Sequence, residues 1–152
     1  MGFLQGTEET KGTESRTIPI HEGFSVTIVR PTQAQRDQEQ EAGRKFKRGN
    51  VHLERGKWAR KFAENRVRGW TGLTLAVFDD WLRVPVKPAK RKQVEDGFAA
   101  APGGELPYSR DDAAHLIEHA LEDRLVKLIN EATEDWDDEV GADQQSDDDK
   151  SA

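Results

Sequence analysis

Apolar residues fall into three registers along the chain, and each register predicts an element. Phe24, Val26 and Ile28 alternate with polar residues in the β-branched run Phe24 to Arg30, the period of a half-buried strand. Thr17 to Ile20 gives a shorter run before it. His21-Glu22-Gly23 suits the hairpin turn between them, and Pro19 keeps the first strand at an edge. Trp58, Ala59, Phe62, Ala63 and Val67 share one face of a basic helix over Glu54 to Arg68, with Gly69 as its C-cap and Trp70 and Gly72 in the loop beyond. Ala113, Leu116, Ile117, Ala120, Leu121, Leu125, Leu128, Ile129 and Ala132 recur at threes and fours. This is the strongest signal in the chain and predicts one long amphipathic helix, N-capped by Ser109 with Asp111 and Asp112 in its first turn.

The stretches between carry weaker patterns. Thr32-Gln33-Ala34-Gln35 has the form of a capping box, opening a very polar helix over about Gln33 to Arg48 that Gly49-Asn50 would end. Leu75, Val77, Phe78, Trp81 and Leu82 fit a short helical turn or a strand, the helical turn the better of the two. Arg83 to Lys92 holds Pro85, Pro88 and the basic cluster Lys87, Lys90, Arg91 and Lys92, so it reads as an exposed loop. Ala99 to Gly104 reads as a linker. The fold class is α+β, mainly α. Its layout is an arm over 1–16, one α-rich domain over 17–132 with 74–104 as an insertion or loop, and an acidic disordered tail over 133–152.

Composition narrows the options. Hydrophobic residues make up 34% of 152 and charged residues another 34%, so the core is small and further burial by a partner or a second copy would help it. With no cysteine, disulfides, thiolate metal sites and cysteine catalysis are excluded. No apolar run approaches the ~20 residues of a membrane span, and Met1 to Arg16 lacks an apolar signal region, which points to the cytoplasm. The net charge of −6 is the sum of unlike parts: residues 30–68 hold 12 Lys/Arg against 5 Asp/Glu, whereas 131–152 hold 10 Asp/Glu against Lys150 alone. Such separation suggests an acidic tail that shields a basic face.

Catalysis finds little support. His115-Leu-Ile-Glu118-His119 matches an inverted zinc-protease motif, with two histidines one helical turn apart. Both fall opposite the apolar stripe, and the residues that follow are mostly tail where a third ligand from a buried second element and a substrate cleft are needed, so a polar helix face is the plainer reading. No nucleophile elbow or phosphate loop is present. The expectation is therefore no enzyme, no metal and no cofactor. The basic segment, in which Arg44, Lys45, Lys47, Arg48, Arg55, Lys57, Arg60, Lys61, Arg66 and Arg68 surround Phe46, Trp58 and Phe62, has the makings of a nucleic-acid face, although Trp58 and Phe62 also fit one buried helical stripe.

The sequence resembles small tail proteins of long-tailed bacteriophages, the tail assembly chaperones and their relatives, over about Phe24 to Ile129. The resemblance rests on Trp70-Thr-Gly72-Leu73 and on the later turn Gly104 and Leu106-Pro107-Tyr108-Ser109 before a C-terminal helix. It departs in the long interval between them, Thr74 to Gly103. The resemblance implies a non-enzymatic morphogenesis factor in the host cell cytoplasm, with the tape measure protein and the tail tube protein as partners. Self-association and nucleic-acid contact are further possibilities, as is a structural role in the virion tail or neck. Helix-in-groove contact would involve Trp58, Phe62, Trp70, Tyr108, Leu116, Ile117, Leu121, Leu125 and Leu128.

Overall fold

A computed structural model describes the backbone of residues 14–151, and the side chains of all of these except 45–47, 51–53 and 142–151. Strands β1 (Ser15–His21) and β2 (Phe24–Val29) form the expected antiparallel hairpin. Glu22 and Gly23, at φ 40° and 86°, make its two-residue turn, in which both central residues have positive φ. β1 is the edge strand, so Pro19 withholds no needed hydrogen bond. Helix α1 (Gln33–Gly43) opens on the capping box: Thr32 Oγ1 accepts from the Gln35 N–H, and the Gln35 side chain accepts from the Thr32 N–H.

Several local expectations need correction. The polar helix stops at Gly43, and the chain turns through a second hairpin, β3 (Arg44–Lys47) and β4 (Asn50–Leu53), with Arg48 and Gly49 at positive φ. Gly49 is thus part of the Arg48-Gly49 hairpin turn, with Asn50 opening β4, rather than a helix stop. Helix α2 (Arg55–Arg66) ends before Gly69. Gly69 and Trp70 lie in β5 (Val67–Thr71), which pairs antiparallel with β2 and completes a three-stranded sheet. β-Branched Val67 begins that strand, and pairing with β2 satisfies backbone groups that a loop would leave to solvent. Residues 74–104 are largely structured. A short helix α3 (Leu75–Val77) runs into one π turn (Phe78–Leu82), and helix α4 (Pro88–Ala100) takes in Lys90, Arg91 and Lys92. Pro88 is the first residue of α4, where it costs no hydrogen bond.

A further correction concerns the C-terminal stripe. It divides into α5 (Arg110–His119) and the long α6 (Arg124–Ser151). Glu122 and Asp123 both stand at φ 55°, a left-handed kink that apolar periodicity does not register. Arg55 stabilises the break: its Nε donates to the Glu118 carbonyl at 2.8 Å, and its guanidinium also meets Asp123. A cation on the last carbonyls of α5 also suits that helix's dipole. The expected acidic disordered tail is helical through Ser151, and Trp136 is buried. Of the expected N-terminal arm, Ser15 and Arg16 belong to β1, and residues 1–13 lie outside the described residues.

One core joins these elements. Phe24, Val26 and Ile28 from the sheet meet Ala59, Phe62 and Ala63 of α2, Ala113, Leu116 and Ile117 of α5, and Leu125, Ile129 and Trp136 of α6. Val77, Phe78, Leu82, Val84 and Phe98 add the contribution of residues 74–104. A buried ion pair crosses it. Glu39 of α1 accepts two hydrogen bonds from Arg66 of α2, at 2.6 and 3.0 Å, and Arg66 also donates to Asn130 of α6 at 2.9 Å.

Candidate partner-binding groove

The two sequence motifs lie far apart in the chain and meet in space. Trp70 Nε1 donates to the Leu106 carbonyl at 2.9 Å, and the Leu106 N–H donates to the Leu73 carbonyl at 2.8 Å. Tyr108 donates its hydroxyl to the Val67 carbonyl at 3.1 Å, and its ring meets Trp70 edge-on at 5.1 Å. Thr74 and Glu105 form an isolated antiparallel bridge. The Leu-Pro-Tyr-Ser turn is therefore clasped to β5 and the residues after it, and this clasp sets where α5 starts. Gly72, at φ 76°, takes the chain past the Gly23 carbonyl so closely that a Cβ there would overlap it.

The clasp and the residues between the motifs frame an apolar groove of about 900 Å³. From the loop and α4 come Pro85, Val86, Val94 and Phe98; from the π turn comes Phe78; from the clasp comes Leu106. Phe78 and Phe98 pack together, ring centres 5.4 Å apart, and are buried, whereas Val86, Val94 and Leu106 are only half-buried. Polar groups edge it: Lys87, Lys90 and Gln93 on one element, Asp111, Asp112, His115 and His119 on the other. Phe98 is the only fully buried side chain of α4. Arg91 anchors that helix further through a bidentate pair with Asp79, at 2.6 and 2.7 Å, and a bond to Glu95. The hydrogen bonds from Arg91 hold the Asp79 carboxyl below its ordinary pKa.

The histidines stand at this groove and not in a metal cage. Their rings are 4.6 Å apart, and Glu118 lies 3.3 Å from His119. Among the described residues no group of three or more potential ligands is gathered to hold a metal ion. Desolvation against the groove, then the neighbouring His119, pushes the His115 pKa below the ordinary histidine value.

The nine sequence-selected contact residues divide by burial. Phe62, Trp70, Leu116, Ile117 and Leu125 are buried in the core and build the fold; each is 8% exposed or less. Trp58, Tyr108, Leu121 and Leu128 are half-buried. Trp58 leans on Phe62 at 5.0 Å and lies under the Arg55 guanidinium. None of the nine lines the groove. Leu106 enters the sequence reading only as part of the Leu-Pro-Tyr-Ser turn and not as a contact residue, and Val86 and Val94 are not singled out, because they lie in or beside a proline-broken basic stretch that reads as loop.

The basic segment is largely engaged within the molecule. Arg66 pairs with Glu39, Arg55 with Asp123, Lys57 with Glu54, Lys61 with Glu64, and Arg36 with Asp137. Asp137 also accepts from Arg30 at 2.5 Å, so the acidic helix does reach the basic segment. Burial would raise the Asp137 pKa, but the bonds from Arg36 and Arg30 outweigh it and hold it low. Lys45, Phe46 and Lys47 lie outside the described side chains. Among the described residues no helix is long and apolar enough to cross a membrane. No protein-family model, curated protein or solved structure matches this chain.

Proposed function

We propose that this protein is a non-enzymatic binding protein that receives an amphipathic helix of a partner in the α4/α5 groove, and that it serves as a tail assembly chaperone in the host cell cytoplasm. The observation that carries the binding reading is the half-buried apolar lining of the groove, Val86, Val94 and Leu106 above Phe78 and Phe98. A helix lying there would cover surface that the chain itself leaves wet, at about 25 cal/mol per Å² of apolar area buried. Recognition of a helix by an apolar groove reads its side chains at helical spacing. The setting rests on the motif resemblance at Trp70 to Leu73 and Leu106 to Ser109. The implied client is the tape measure protein, whose long apolar helices need cover before the tail tube protein assembles on them.

Co-expression tests the reading. The tape measure protein should stay soluble beside the wild-type chain and precipitate beside Val94→Glu, which places a charge at a half-buried groove position, provided the variant keeps the wild-type urea midpoint. If solubility is unaffected by either form, the chaperone reading is wrong.

A further inference from the structure

We propose that the α4/α5 groove is self-complementary and that a second copy of this chain covers it when no client helix is bound. The inference rests on the groove being a docking surface, as proposed above, and adds its resting occupant. Four charges flank the apolar lining: Lys87 and Lys90 from the N-terminal end of α4, and Asp111 and Asp112 from the first turn of α5. Among the described residues none of the four forms a salt bridge within the chain. This contrasts with the neighbouring Arg91, which is paired with both Asp79 and Glu95.

A patch whose cations and anions come from two different elements and do not pair with each other can match itself under a two-fold rotation. When the axis lies in the interface, across the line from the lysine pair to the aspartate pair, each lysine pair faces the other copy's aspartates. The contact is isologous, so both pairings form at once and the assembly closes as a dimer. Val86 and Val94 of the two copies then cover each other. An interface of one sign would repel itself in the same arrangement, so the split of charge favours a second copy over no occupant. The dimer hides the groove, and a client helix must displace it. Free chain is thereby kept from sticking to other apolar surfaces, and docking depends on concentration.

Sedimentation equilibrium of the full chain, from micromolar to millimolar, tests the proposal. Wild type should show a twofold rise in weight-average mass. Lys87→Glu with Lys90→Glu makes all four groove charges acidic; Asp111→Lys with Asp112→Lys makes them all basic. Each double variant alone should remain monomeric, and an equimolar mixture should dimerise at least as tightly as wild type. The mixture also shows that both variants are folded. A monomeric wild type, or double variants that each dimerise like wild type, would overturn the proposal. A synthetic Leu-rich amphipathic helix added to the same samples separates the two claims. If the chain dimerises through the groove and the peptide neither binds nor dissociates it, the client reading fails and the dimer stands. If the chain is monomeric and the peptide binds, the reverse holds.

Discussion

Replacing Gly72 by alanine tests the geometry that brings the motifs together. Gly72 stands at φ 76°, and a Cβ built there lies 2.7 Å from the Gly23 carbonyl carbon, 3.1 Å from the Phe24 nitrogen and closer still to the Gly23 oxygen. The left-handed backbone alone costs an L-residue about 1–2 kcal/mol. The overlap is with backbone, so the β1–β2 turn or the β5 exit must move, at a further cost of about 1–3 kcal/mol. The sum, roughly 2–5 kcal/mol, is a large share of the ~5–15 kcal/mol that holds an ordinary domain. Gly69 is the control. It lies in β5 with no atom within 4 Å of its would-be Cβ. Gly69→Ala should be neutral or stabilise by up to about 1 kcal/mol through the lost freedom of the unfolded chain. Urea unfolding followed by tryptophan fluorescence reads both. At a slope of about 2 kcal/mol per molar, Gly72→Ala should lower the midpoint by roughly 1–2.5 M. Equal midpoints for the two variants would refute the close crossing of the Trp-Gly turn over the hairpin.

Three further outcomes follow from the packing. Glu39→Gln should cost about 3–5 kcal/mol by leaving Arg66 buried without its counter-charge, and Glu39→Leu with Arg66→Met should recover most of it in the same urea assay. Trp136→Ala should cost about 3–5 kcal/mol, so truncation at Glu131 lowers the thermal midpoint, whereas truncation after Gly141 spares the buried contact. His115 has a lowered pKa in the folded state, so the unfolded chain binds the proton more readily. Stability should therefore be full above the ordinary histidine pKa of about 6.5 and decline as pH falls through and below it. His115→Gln should flatten the urea midpoint across that window, measured above the range where carboxylates titrate.

Much of the fold could be read from the sequence wherever one residue's neighbours in space were its neighbours in period. The hairpin, the capping box at Thr32 and the Ser109 cap are local, and they stand as expected. The misreadings share a cause. Gly69 after a helical stripe looks like a C-cap until β2 is known to need a partner, and that partner is decided by long-range pairing. The 113–132 stripe keeps its period across the Glu122–Asp123 kink because both helices face the same core, and the Arg55 bridge that holds the kink comes from another element. Trp136 in an acidic run looked like tail; Arg16 lies 4.4 Å from its ring centre, a contact made by a strand far away in sequence. The candidate site suffered most. The strongest apolar residues were the ones already used by the core, such as Phe62 and Ile117, so selecting for hydrophobic strength selected against surface.

The central claim is that a partner helix docks between α4 and α5. Backbone amide chemical shifts of the labelled chain, titrated with helical fragments of the tape measure protein, test it most directly. The account predicts saturable shifts confined to residues around Val86, Val94, Leu106 and His115, abolished by Val94→Glu. Shifts centred instead on Trp58 and Leu128, or none with any fragment, would contradict it.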